Sequence, residues 1–132
     1  MKIFIDTNIF LDLILKREEY QAAVMILNAV DQSLFEASIL DITLLNIDYI
    51  AKKQIKEVRS FLTLVNTLFN VLGATNDSMS QALKIQNSDL EDNLQYVGAK
   101  ISNCDLIISN DKDFYNADIR VISSKEFVLE YL

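Results

Sequence analysis

Acidic side chains close two short apolar runs in this sequence, and their placement is the first chemical clue. Lys2-Ile3-Phe4-Ile5 ends in Asp6-Thr7-Asn8, and the run from Cys104 to Ser109 ends in Asn110-Asp111-Lys112-Asp113. Asp92 stands between them in Ser88-Asp89-Leu90-Glu91-Asp92. Carboxylates that converge repel one another unless protons or a cation neutralise them. Their hard oxygens suit Mg2+ or Mn2+, which keep several waters and bind few protein carboxylates directly. An ion of that kind activates a water and stabilises the charge that builds on a phosphodiester during in-line attack. Those three acid-bearing places brought to one cleft would be the making of a metal-dependent nuclease.

Each acid also has a plainer reading. Asp6-Thr7-Asn8 could do no more than cap a following helix. Asp89 and Glu91 could compensate a helix dipole, and Asp111 and Asp113 could be turn formers. Asp105, at the beginning of a strand, reads as structural, and Asp12 and Asp41 are better explained by local hydrogen bonding or capping than by metal.

Composition narrows the chemistry further. The chain has no histidine, which removes the triads and zinc sites that use imidazole. Its single cysteine, Cys104, has no internal disulfide partner, which fits a reducing compartment. Proline is absent and Gly73 and Gly98 are the only glycines, so no glycine-rich phosphate loop exists. The formal charge of −7, from 19 acidic and 12 basic residues, argues against a broad basic face for nucleic acid. A bound divalent ion reverses the local sign, so the objection is weaker for a metal-dependent site. No apolar stretch reaches the roughly 18 residues of a membrane span, and no secretory signal is visible, so a cytoplasmic protein is expected.

At 132 residues a single domain over 1–132 is expected. Strands are predicted at Lys2–Ile5, Leu34–Ile39, Val71–Gly73, Cys104–Ser109 and Ile119–Ile122. Apolar positions at helical spacing predict helices beginning near Ile9 and over Glu18–Val30, Asp41–Lys53, Val58 to about Asn70, and Asp77–Gln86. Ser88 with Glu91 and Ser123 with Glu126 have capping-box spacing, which starts two more helices there. Strands separated by helices imply right-handed crossovers and a mainly parallel sheet covered on both faces. In such a sheet ligands bind at the carboxyl ends of the strands, where both acid-bearing turns fall.

Three segments then resemble one family, in its order and over nearly the whole chain. Lys2 to Asp12 (KIFIDTNIFLD) is similar to the start of a PIN domain. Asp89 to Tyr96 (DLEDNLQY) resembles that family's D-x-x-D-A-L-Q-Y helix, and Leu106 to Phe114 (LIISNDKDF) its I-V-T-R-D-x-D-F segment. The resemblance implies a three-layer α/β/α fold with a mainly parallel central sheet. It also implies a metal-dependent ribonuclease, such as the VapC-type toxin of a toxin–antitoxin pair, using Mg2+ or Mn2+. Asp6, Asp92 and Asp111 would hold the metal, with Asp113 a fourth catalytic acid. Thr7, Asn8 and Ser109 would hydrogen-bond to the acids, bound water or the phosphate. RNA, an antitoxin protein and a second copy of the chain are the implied partners.

One departure matters. The family's second acid is commonly a glutamate on the helix after the second strand, and Asn46 occupies that place. An asparagine can ligate through its carbonyl oxygen but contributes no charge. Activity could be weaker, or Asp48 or Asp41 could substitute; the rival reading is a weak or inactive PIN-like regulatory module that binds RNA or protein. Lys52, Lys53, Lys56 and Arg59 could share a helical face near the cleft and touch phosphates, or be a solvated face. A phosphoacceptor receiver needs paired acids after the first strand, and a haloacid-dehalogenase-type phosphatase needs D-x-D there; Asp6-Thr7-Asn8 provides neither.

Overall fold

The computed structural model describes residues 1–132. Its strands are β1 (Lys2–Ile5), β2 (Glu36–Leu40), β3 (Asn70–Leu72), β4 (Leu106–Ile108) and β5 (Arg120–Ile122). Its helices are α1 (Thr7–Ile14), α2 (Tyr20–Asp31), α3 (Asp41–Ala51), α4 (Val58–Leu68), α5 (Asn76–Lys84), α6 (Leu90–Ile101) and α7 (Ser124–Tyr131). The five strands form one sheet in the order β3-β2-β1-β4-β5, and every neighbouring pair is parallel. The expected parallel α/β/α architecture is therefore the observed one.

Side-chain alternation along the strands divides the core in two. Ile3, Ile5, Ile39, Leu106 and Ile108 face a cluster completed by α1, α2, α3, α4 and α7, including Ile26, Ile47, Val65 and Phe127. Phe4, Leu40 and Ile107 face the opposite way, onto Ala82 of α5 and Leu94 and Val97 of α6. Gly98 lets α6 lie close to the sheet: a Cβ there would sit 2.8 Å from Leu40 Cδ2. No helix is long and apolar enough to cross a membrane.

Several boundaries differ from those read off the sequence. The Cys104–Ser109 run narrows to β4, although its ends stay tied: Asp105 N donates to Lys2 O and Ser109 N to Ile122 O. The Asp105 carboxylate accepts from Lys2 N at 2.9 Å, a structural role. The helix predicted from Ser88 starts one residue later, because Asp89 is the N-cap and accepts from Asp92 N at 3.0 Å. Both residues are good caps, and here Asp89 closes the bond. The box at Ser123 and Glu126 forms as spaced. A further box, Thr75 with Ser78, opens α5; serine in place of Glu or Gln at its third position hid it from the pattern.

The lysine cluster does not share one helical face. Lys52, Lys53 and Lys56 lie in the turn after α3, and Arg59 begins α4. Both Lys52 and Lys53 stand over the Tyr49 ring, 5.9 and 5.7 Å from its centroid, and Arg59 faces Asp48 at 3.7 Å. They sit at the far end of a helix about 16 Å long whose first residue follows β2 directly.

Candidate active site

Right-handed crossovers put the loops after β1 and β4, and the start of α6, at one edge of the sheet. β1 lies between β2 and β4, with Ile3 in register with both Ala37 and Leu106, so Asp6 emerges at the centre of that edge. Asp6 takes the N-cap position of α1, yet its side chain makes no capping bond. Its carboxylate turns inward: Oδ1 accepts from Gln95 Nε2 at 2.9 Å and Oδ2 from Ser109 Oγ at 2.8 Å. Capping does not explain this residue.

Gln95 is fully buried and works in both directions, since its Oε1 also accepts from Thr7 N at 3.3 Å. Ser109 likewise bridges two acids, donating to Asp6 and accepting from Asp111 N at 3.1 Å. Asp111 Oδ1 accepts from Asp113 N at 2.9 Å, so Asp111 is a turn former as well as a neighbour of the other acids. The Asp113 carboxylate is exposed and outside the group of three acids described next.

Asp89, Asp92 and Asp111 each place a carboxylate oxygen within 4.8 Å of the others. Asp92 is buried, and its Oδ2 is a buried oxygen with no hydrogen-bond partner. A carboxylate oxygen left bare among other carboxylates costs several kcal/mol unless a proton or cation meets it. Burial, the Asp111 carboxyl at hydrogen-bond distance, and the charges of Asp6 and Asp89 push Asp92 up to about 8. Burial pushes Asp6 up to about 6, against the pull of the bonds from Gln95 and Ser109; Glu91 and then Asp111 add repulsion. The donor set is all hard oxygen, at a place where negative charge is held at a cost. That fits Mg2+ or Mn2+ and does not fit a soft thiolate or imidazole metal.

The remaining candidates divide. Thr7 is buried, and its Oγ1 donates to Glu91 Oε2 at 3.0 Å and lies 3.1 Å from Thr43 Oγ1. Asn8 is exposed and makes no side-chain bond. Asn46 is half-buried on α3, one turn beyond Thr43, and also makes none. Asp41 accepts from Ile42 N at 2.8 Å and Asp48 faces Arg59, so neither is drawn into the acid group in place of Asn46. Asp12 accepts from Asn110 Nδ2 at 3.1 Å, a long-range bond to the loop after β4 where a local one or a cap was expected.

Sequence reasoning missed Gln95 and Thr43, and gave Asp89 and Glu91 only helix-dipole roles. Glu91, Asp92 and Gln95 fall on one face of α6 by their spacing, the one signal available beforehand. A cleft of about 400 Å³ adjoins the acids, walled by Ser109, Asn110, Asp111, Lys112, Ser123 and Glu126.

Comparison with known proteins identifies the family. The sequence model of the PIN domain matches residues 2–113. Ribonuclease VapC1 of Aquifex aeolicus is 33% identical over 135 aligned residues, which cover 96% of this chain and 92% of that protein. Among solved structures, a toxin–antitoxin complex from Klebsiella pneumoniae superposes with a TM-score of 0.71 at 23% identity, covering 92% of this chain and 97% of that one. VapC20 of Mycobacterium tuberculosis, a toxin that cleaves the sarcin–ricin loop, superposes with a TM-score of 0.69 at 14% identity, covering 89% and 98%. At those identities the structures bear on the fold alone. With the family model spanning most of the chain and the three acid-bearing segments in its order, this protein belongs to the PIN-domain family, in its VapC-type branch.

Proposed function

We propose that this protein is a divalent-cation-dependent endoribonuclease, the toxin of a toxin–antitoxin pair. The observation that carries the reading is Asp92: a buried carboxylate with a bare oxygen, set among Asp89, Asp111 and Asp6. The named ribonuclease relative and the toxin–antitoxin complexes of the same fold support RNA as substrate and an antitoxin as partner. A homodimer is the assembly we expect.

Asp92 and Asp111, with Asp6 behind them, would hold Mg2+ or Mn2+. The ion, when bound, supplies neutralising charge, an activated water and stabilisation of the phosphate's developing charge. The chain's own part is orientation and proton control. Gln95 and Ser109 fix both oxygens of Asp6, so its lone pairs point where the fold sets them. Ser109 also holds the Asp111 backbone, which keeps the two strand-end acids in one frame. Burial and the surrounding acids push the Asp92 carboxyl up to about 8, so a cation seated there would compete with a proton. Attack by water oxygen on phosphorus then breaks one P–O ester bond, and the leaving oxygen takes up a proton.

The test is cleavage of a mixed structured RNA pool with Mn2+ or Mg2+, against chelator and Asp92→Asn controls. Cleavage lost in both controls is the expected result. A folded, cation-binding protein that leaves the pool intact would favour a PIN-like module that binds without cutting, which the neutral Asn46 independently favours.

A further inference from the structure

The turn that carries Asp111 is gripped from the side of the sheet away from the other acids. Asp89 and Asp92 share one helix, so α6 settles their mutual placement. Asp111 reaches them from the loop after β4, and its distance from α6 is the variable of the group. The hydrogen bonds of Asp111 stay inside that loop: its N donates to Ser109 Oγ, while its carboxylate and carbonyl accept from Asp113 N and Phe114 N. Outward ties come from Ser109, from the buried ring of Phe114, and from Asn110. Asn110 immediately precedes Asp111. Its Nδ2 donates to Asp12 Oδ2 at 3.1 Å and to Ser124 Oγ at 3.0 Å, and its Oδ1 accepts from Ser124 N at 2.9 Å. One amide thus holds both α1 and α7, which pack on the face of the sheet opposite α6.

We propose that Asn110, clamped between Asp12 and Ser124, is a positioning residue that sets Asp111 against Asp89 and Asp92 for the cation. This rests on the reading of the site as cation-dependent. The two helices have anchors of their own: α1 buries Ile9, Phe10 and Leu11, and α7 buries Phe127 against Phe35 and forms its capping box. The loop is the element that gains from the clamp. Asp12 is a buried carboxylate with no lysine or arginine ion pair, so its charge is met by the Asn110 amide. A hydrogen bond to a charged acceptor is about twice as strong as a neutral one. Serving both partners takes donors and an acceptor on one short side chain. Aspartate at this place would set a second carboxylate against Asp12, and leucine would leave Ser124 N without its partner. Groups that orient a metal's ligands in this way typically carry about tenfold or more of its affinity.

The test measures Mn2+ affinity by calorimetry and the metal-free Tm on the full chain, with no RNA present. Asn110→Ala should weaken Mn2+ about tenfold. A lowered metal-free Tm with wild-type Mn2+ affinity is the mark of a brace for α7 alone, and overturns the proposal. Two variants at Asp12 separate grip from charge. Asp12→Asn removes the charge but keeps an oxygen to accept from Asn110, and should bind Mn2+ as the wild type does. Asp12→Leu removes the acceptor and should weaken Mn2+ severalfold. Equal losses in the two would mean that Asp12 acts on the cation by charge, and wild-type affinity in Asp12→Leu that its grip is idle; either overturns the proposal. Asp92→Asn separates this from the underlying reading. If it loses Mn2+ while Asn110→Ala does not, only the role of Asn110 falls; if neither loses it, the cation site itself falls. Should Asn110→Ala abolish cooperative unfolding, the two Asp12 variants decide the matter by the same outcomes.

Discussion

Gln95 and Asp6 are 89 residues apart in sequence and joined by a buried hydrogen bond of 2.9 Å, with the amide's oxygen turned back to the Thr7 backbone. One side chain therefore ties the start of α1 to the middle of α6. Gln95→Leu keeps the bulk and removes both bonds, leaving Thr7 N and one Asp6 oxygen buried without partners. We expect a loss of about 2–4 kcal/mol in urea unfolding at pH 7. A loss under about 0.5 kcal/mol would mean that water already serves these groups.

Metal-free stability should fall as pH rises. Asp6 and Asp92 have folded-state values near 6 and 8 against an ordinary 3.8, so between about pH 4 and 8 the folded protein holds more protons than the unfolded one. The slope of unfolding free energy with pH is then negative in that range. From pH 5.5 to 8.5 Asp6 alone should cost on the order of 1 kcal/mol, or about 3–5 °C in Tm, with Asp92 adding to it. Asp92→Asn should flatten the profile, and saturating Mn2+ should do the same in the parent. A metal-free Tm that climbs between pH 5.5 and 8.5 would contradict this.

Cation binding should expel a proton. With Asp92 pushed up to about 8, a cation that binds there at pH 7 must displace a proton. Calorimetry in two buffers of unlike ionisation enthalpy should give about one proton released per site at pH 7 and far fewer at pH 9. Equal release at both pH values would place the proton on some other group.

The close seat of α6 on the sheet can be probed at a distance from the acids. Gly98→Ala puts a methyl 2.8 Å from Leu40 Cδ2 and 3.9 Å from the Phe4 ring, both buried side chains. Overpacking of this kind costs about 1–3 kcal/mol, against roughly 1 kcal/mol returned by alanine's better helix propensity. The expected result is a net loss in stability together with a weaker Mn2+ affinity, because α6 carries Asp92 and Gln95. Unchanged affinity would mean that Leu40 yields without moving the helix.

What the sequence disclosed and what it hid follow a physical line. Runs such as Lys2–Ile5 and Leu106–Ile108 are buried on both faces, so their composition betrays them as strands, and Asp6 and Asp111 stand out by following them directly. Ser123 with Glu126 was legible because a capping box is made within four residues. Gln95, Thr43 and Glu91 were not, since each takes its meaning from a partner on another helix. Local spacing places the three acids of the motif in order; it cannot say that Asp89 joins Asp92 and Asp111, or that Asp113 turns outward.

The position of β1 between β2 and β4 also has a temporal side. Its first partner, β2, follows soon after it in the chain, while its second, in register Ile3 with Leu106, arrives only with β4. Contacts so distant in sequence form late, because a long loop must close before they repay its entropy. On a ribosome, the Asp6 carboxylate emerges well before Gln95 and Ser109, and has neither to aim it until they follow. In that interval the nascent chain carries its first acid without the edge that positions it.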